Sequence, residues 1–179
     1  LAIDSPIYRC SSNLFREKFA LAVIAREIRM LHIVLFQPEI PQNTGNIGRT
    51  CVALGAKLWL IEPLGFRIDA TKLKRAGMDY WDSLQWESVR NWQTAAELLA
   101  PRRMWLITKF ADASLYDQTF ADEDVFVFGS ESSGVPPSIH DSMEGHRLRI
   151  PMTDNTRSLN LATSAGIVAY EAFRQISLG

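Results

Sequence analysis

Four short segments made almost wholly of apolar residues constrain this chain most: Ile33-Val-Leu-Phe36, Leu58-Trp-Leu-Ile61, Met104-Trp-Leu-Ile-Thr108 and Val125-Phe-Val-Phe128. A strand that alternates apolar and polar residues keeps one face in water. A strand with no polar face must be covered on both sides, and such strands belong to parallel sheets flanked by helices. The intervening segments supply those helices. Apolar spacing and breakers place them at residues 47–54, 70–75, 92–99, 137–143 and 159–176, with Gly55 set to end the first in a left-handed conformation. Weaker strands are expected at 84–89 and 148–150. Strands alternating with helices predict an α/β fold, a parallel sheet with helices on both faces.

The chain has 179 residues and a mass of 20.2 kDa, one domain's worth. A hydrophobic fraction of 47% and a charged fraction of 22% exclude disorder and fibrous architectures. The two cysteines, Cys10 and Cys51, give no disulfide framework, which fits a reducing, cytoplasmic setting. The longest apolar run, Phe19 to Ala25, falls far below the ~18 residues of a membrane helix. Arg26-Glu27 directly behind it argues against a signal peptide. Residues 1–29, with five basic and three acidic side chains, read as an N-terminal extension or a packing arm. Residues 30–179 form the domain and carry 14 basic and 17 acidic residues. Binding to nucleic acid would therefore rest on local patches. The candidates are Lys72, Lys74 and Arg75; Arg102 and Arg103; and Arg147, Arg149 and Arg157.

Ligands of open α/β sheets bind beyond the carboxyl ends of the strands, and three loops there are unusually polar. The first is Pro41-Gln-Asn-Thr-Gly-Asn-Ile-Gly-Arg-Thr50. It reads as a loop running into a helix capped by Asn43 or Thr44. It also resembles a flavodoxin-like phosphate loop, although it lacks the lysine of a nucleoside triphosphatase. Arg49 falls in the predicted first turn, where the helix dipole disfavours a cation, and this suggests a docked anion. The second loop, Phe128-Gly-Ser-Glu-Ser-Ser-Gly-Val-Pro-Pro137, places Glu131 among small residues. Gly129 there allows a close approach to a ligand. The third, Ile150-Pro-Met-Thr-Asp-Asn-Thr-Arg-Ser-Leu-Asn160, leads into the last helix, with Ser158 or Thr156 as its cap. His32, His140 and His146 have no metal-ligand spacing, and no Gly-x-Ser-x-Gly elbow marks a serine hydrolase.

Taken together and in this order, the three loops resemble the signature motifs of the SPOUT superfamily of RNA methyltransferases, in its ribose 2′-O-methylating branch. Asn43 and Arg49 match the first motif, Gly129 and Glu131 the second, Ser158 and Asn160 the third. The likeness is nearest to the minimal group that methylates cytidine or uridine at tRNA wobble position 34, whose chains begin where Met30 stands. Lys74-Arg-Ala-Gly-Met-Asp-Tyr80 also resembles a segment of that group.

The resemblance implies a deep trefoil knot over roughly residues 128–160 that forms a pocket for S-adenosyl-L-methionine. It implies cofactor contacts around Ile107, Gly129, Ile150, Ser158 and Leu159. It implies catalytic or site-shaping roles for Asn43, Arg49, Glu131, Ser158 and Asn160, with Glu131 pairing with Arg49 in the empty site. Its partners would be tRNA and a second copy of the chain, with no metal and no membrane. The homodimer would place Arg49 near the partner's pocket. Ala162, Ala165, Ala169 and Ala172 recur at spacings of three and four, and this stripe is the expected interface. The alternatives are a 2′-O-methyltransferase of another tRNA or rRNA position, a non-catalytic RNA-binding relative, and a flavodoxin-like FMN electron carrier.

Overall fold

Among the described residues, six parallel strands form one sheet in the order β3-β2-β1-β5-β4-β6. The computed structural model describes residues 30–68 and 79–178. The strands are β1 (His32–Phe36), β2 (Lys57–Ile61), β3 (Trp86–Val89), β4 (Met104–Ile107), β5 (Val125–Phe128) and β6 (Arg147–Leu148). The helices are α1 (Pro41–Leu54), α2 (Trp92–Leu99), α3 (Pro137–Ser142) and α4 (Leu161–Leu178). The expected helix at 70–75, the cluster Lys72, Lys74 and Arg75, and the extension 1–29 lie outside the described residues.

Each apolar run is buried on both faces because successive side chains point to opposite sides. Ile33, Leu35, Leu58, Leu60, Phe126 and Phe128 pack with Ile47 and Cys51 of α1 and with Ala165, Val168 and Ala169 of α4. Val34, Trp59, Ile61, Val125 and Val127 pack with Ala95 and Leu99 of α2 and with Ile139 of α3. Burial lifts the Cys51 thiol to a pKa of about 12, so it stays protonated as a core residue.

Two expectations are corrected. Helix α1 begins at Pro41, six residues before the predicted start, with Ile40 as a cap position that has no side-chain cap bond. The sequence Asn-Thr-Gly-Asn-Ile-Gly lacks helix propensity, but its small side chains let α1 lie close to its neighbours. A Cβ at Gly48 would stand 3.0 Å from Leu84 Cδ2 and 3.3 Å from the Trp81 ring. Tertiary contact thus overrides local preference. The alanine stripe of α4 is also not an outward face. Ala165, Ala169 and Ala172 are buried in the chain's own core. The side of α4 left exposed or half-exposed carries Ala162, Gly166, Tyr170 and Phe173.

Strand order reverses on either side of the β1–β5 pair: β2 and β3 lie to one side, β4 and β6 to the other. Beyond the carboxyl ends, the chain leaving β1 and the chain leaving β5 diverge, and such switch points are where ligands bind in open sheets.

Candidate active site

A cavity of about 660 Å³ opens at the carboxyl ends of β4 and β5. Ile107 to Phe110, leaving β4, form one wall, and the tight loop from Gly129 to Gly134 after β5 forms another. Ile150, Met152 and the run from Arg157 to Leu161 close the third side, while Ile40 and Asn43 close the fourth. The β5 loop is pinched shut: the Ser130 N–H donates to Gly134 O and the Gly134 N–H to Ser130 O, both at 3.0 Å. Gly134 takes a positive φ of 70°. Any Cβ on Gly129 would fall inside the Gly134 backbone. Gly129 is therefore required first by its own loop, not by a ligand. A Gly129→Leu change would break the wall itself.

Three chain segments meet through one run of hydrogen bonds. Glu131 Oε2 accepts from the Glu39 N–H at 2.8 Å, and its Oε1 accepts from the Ile40 N–H at 3.3 Å and from Asn43 Nδ2 at 2.9 Å. Asn43 Oδ1 accepts from Asn160 Nδ2 at 2.9 Å. Asn160 Oδ1 caps α4 by accepting the Ala162 and Thr163 N–H groups at 2.8 and 3.3 Å. The amide orientations are fixed by this polarity: each amide oxygen faces a donor and each amide nitrogen faces an acceptor. A second carboxylate closes the same seam, with Glu39 accepting from the Ser132 hydroxyl at 2.6 Å and from its N–H at 3.1 Å.

These contacts revise several expectations. Asn160, not Ser158 or Thr156, caps the final helix. Asn43 and Thr44 lie inside α1 rather than capping it, and both are buried. The anion at the start of α1 is the protein's own Glu131, so residues 41–50 do not form a phosphate loop of flavodoxin type. Arg49 stands in the third turn of α1, not the first, and the dipole argument for it fails. Six residues on from Asn43, it is displaced about 9 Å along the helix. Its guanidinium lies 4.8 Å from the centroid of the Tyr80 ring. The Tyr80 hydroxyl in turn donates to Gly45 O at 2.6 Å. The Glu131 carboxylate is engaged by Asn43 and backbone instead of Arg49.

Of the residues expected at the site, Asn43, Ile107, Gly129, Glu131, Ile150, Ser158, Leu159 and Asn160 all line the cavity, and Arg49 does not. The basic clusters separate. Arg102 and Arg103 sit before β4, at the opposite end of the sheet, bound to Glu123 and Asp124. Arg147 bonds to His140 Nδ1 at 2.8 Å. Arg149 is exposed, and of these five arginines only Arg157 lines the cavity. Sequence reasoning missed Glu39, Lys109 and Phe110. Glu39 follows the end of β1 by three residues and Phe110 follows the end of β4 by three, so strand ends were the available signal. Among the described residues, no group of three His, Cys, Asp or Glu could hold a metal ion. No helix of the described residues is long and apolar enough to cross a membrane.

Known proteins share the sequence and fold of this chain. The SpoU rRNA Methylase family model matches residues 30–170. The tRNA (cytidine(34)-2′-O)-methyltransferase of Methylovorus glucosotrophus is 47% identical over 147 residues, spanning 82% of this chain and 96% of that protein. The protein of the same name from Burkholderia pseudomallei is 44% identical over 149 residues, with the same shares covered. A solved structure described as giving insight into the 2-OH methylation of C/U34 on tRNA superposes with a TM-score of 0.77. It is 45% identical and covers 82% of this chain and 96% of that one. The methyltransferase AviRb of Streptomyces viridochromogenes, solved with AdoMet, is 23% identical and shares the fold with a TM-score of 0.70, over 84% of this chain and 59% of that one. With the family match running from the first strand well into the last helix, the chain belongs to the SpoU rRNA Methylase family.

Proposed function

We propose that this protein transfers a methyl group from S-adenosyl-L-methionine to the ribose 2′-hydroxyl of nucleotide 34, cytidine or uridine, in tRNA. The observation that carries the reading is the Glu131–Asn43–Asn160 chain of bonds, which draws the three motif segments around one cavity. Relatives named for that reaction align with this chain over almost their whole length.

The cavity fits the cofactor by its construction. Its size is that of a small-molecule site, and Ile107, Phe128, Ile150 and Leu159 offer apolar surface to a purine. The loop from Gly129 to Gly134 lines the cavity, so its backbone groups are placed to read polar edges. Bound S-adenosyl-L-methionine supplies a methyl group already activated on a sulfonium. The remaining task of the protein is to align the 2′-hydroxyl, a weak nucleophile whose proton is released to solvent. Asn160 and Ser158 shape the floor on which the ribose lies, and Asn43 and Glu131 hold Asn160 in place. Arg49 carries a planar fork of N–H donors and no acceptor, a shape that matches phosphate oxygens. It acts as a clamp on a backbone phosphate rather than as a base.

Because Arg49 stands outside its own chain's cavity, we assign it to the cavity of a second copy, in a homodimer. The outward side of α4, with Tyr170 54% exposed beside Gly166 and Phe173, supports that assembly. We also read residues 128–160 as the knotted segment of the family. Its support is that the chain after β6 returns to the loops after β4 and β5 before α4 packs on α1. The test is mass spectrometry of nuclease fragments from tRNA incubated with labelled cofactor. Label on the ribose of nucleotide 34 is the expected result. Label confined to another position assigns a different site on the RNA.

A further inference from the structure

Three of the six large hydrophobic residues that stand exposed among the described residues rim a single cavity: Ile40 at 42%, Phe110 at 70% and Met152 at 37%. A deep ligand meets the backbone of the β5 loop and the apolar side chains of the interior. The rim is met by whatever is brought to the mouth. Phe110 is the most exposed of the six, and its setting is ordered. Its N–H donates to Thr108 Oγ1 at 3.3 Å, and its ring stands edge to face with His140, centroids 6.2 Å apart. Lys109 Nζ lies 4.9 Å from the Phe110 ring centroid, and Arg157 lines the same cavity. The domain as a whole carries more acidic than basic residues, so an exposed aromatic ring with Lys109 over one face, in a cavity that Arg157 also lines, forms a local patch of opposite character.

We infer that Phe110 is the stacking platform for the base of the RNA nucleotide being modified, with Lys109 and Arg157 receiving the flanking phosphates. Aromatic rings hold unpaired bases through their π faces without reading an edge. Such a platform fits a substrate whose base is either of two pyrimidines. Phosphate contacts by neighbouring cations supply sequence-independent affinity. The inference rests on the proposed reading of the site as an RNA ribose methyltransferase. It adds a positioning residue to that reading.

The test compares wild type, Phe110→Ala and Phe110→Trp on tRNA and on a matched RNA lacking the base at the modified nucleotide, with thermal melting to verify folding. Wild-type transfer is measured first. If wild type methylates no RNA ribose, the proposed function fails and takes the platform with it. If wild type is active, Phe110→Ala should raise the KM for tRNA by roughly 5- to 150-fold, the range for loss of one base–aromatic stack. Its cofactor Kd should move less than about twofold, on the reading that the ring faces the RNA and not the cavity interior. Phe110→Trp should restore the KM, and on the base-less RNA wild type and Phe110→Ala should be alike. An unchanged KM in Phe110→Ala overturns the inference while leaving the function standing. So does a parallel loss of cofactor affinity, or an equal penalty on the base-less RNA. Should Phe110→Ala fail to fold, Phe110→Leu replaces it, with the same outcomes expected.

Discussion

The two ends of the sheet both carry buried polar groups, and they use them in opposite ways. Before β4 and β5, Asp124 is 2% exposed and saturated. It accepts from Arg103 Nε and Nη2 at 2.9 and 2.6 Å, from Trp105 Nε1 at 3.3 Å and from the Ala121 N–H at 3.0 Å. Arg103 also lies 5.0 Å from the Trp105 ring centroid and donates to Thr119 O. Beside it, His32 Nδ1 accepts from Trp59 Nε1 at 3.0 Å. At that end the charges are paired, with the Asp124 carboxylate covered and Arg103 reaching solvent. At the other end Glu131, Asn43 and Asn160 are satisfied as fully, but their bonds fasten separate loops around an open cavity. One network holds the sheet together; the other holds a site open. Satisfaction of hydrogen bonds alone does not distinguish a functional cluster from a structural one. What the cluster surrounds does.

The contrast breaks most sharply under single substitutions. Asp124→Ala removes a buried carboxylate, leaving Trp105 Nε1 and the Ala121 N–H without their acceptor and Arg103 without its ion pair, and should cost about 2–4 kcal/mol of unfolding free energy. Denaturant melts measure that loss, and whatever protein remains folded should keep the parental cofactor affinity. Arg49→Ala should do the reverse. Melting changes little, S-adenosyl-L-methionine binding by calorimetry is nearly intact, and methyl transfer falls by roughly 100-fold or more, as when one fixed charge-stabilising donor is lost. Mixing Arg49→Ala with Glu131→Ala sharpens the result. If Arg49 serves the partner's cavity, mixed dimers contain one whole site and regain activity that neither variant has alone. Continued silence of the mixture would return Arg49 to its own chain.

His32 gives the closed end a pH signature. Burial, aided by Arg102, lowers its pKa from 6.5 to about 4, so the folded protein holds it neutral. The unfolded chain takes up its proton first. Stability from this residue is therefore complete above about pH 6.5, declines as pH falls towards 4, and amounts to roughly 2–3 kcal/mol across the window. Unfolding free energies measured between pH 4 and 7 should slope upward with pH, and His32→Phe should flatten that slope. Cofactor affinity should show no matching step from this residue, because it sits at the far end of β1.

The same division governs what could be read from sequence. The strands were legible because burial on both faces leaves no polar residue, as in Ile33–Phe36 and Val125–Phe128. The cavity wall was legible through the resemblance, since Asn43, Glu131 and Asn160 match its three motifs in order, and all three line the cavity. The start of α1 was not. Asn43, Thr44, Gly45 and Gly48 look like a turn, and they are helical because small residues there admit Trp81 and Leu84. The outward alanine stripe failed for a related reason. Periodicity shows that Ala165, Ala169 and Ala172 share a face, but not whether that face meets the chain's own core or another molecule. Asn160 was expected at the site, where it lines the cavity, and missed as a cap. One amide can serve both purposes, and only the positions of its neighbours reveal it.

That double duty yields the smallest of the expected effects. In Asn160→Ala, α4 loses its cap and Asn43 Oδ1 loses its donor, so about 1–2 kcal/mol of stability should go. In Asn160→Ser the hydroxyl can still accept an N–H of the first turn but does not reach Asn43, so most of the cap is kept and the link is cut. The difference between the two variants isolates the link from the cap. If the link matters because it draws loops together, Asn160→Ser should melt near wild type while its KM for S-adenosyl-L-methionine rises. Asn43→Ala also removes the bond to Glu131, so its combined loss with Asn160→Ser should fall short of the sum of the two single losses by the bond they share. Strict additivity of Asn43→Ala and Asn160→Ser in cofactor affinity would show two independent contacts. The open end of the sheet would then be a collection of separate loops rather than one wired wall.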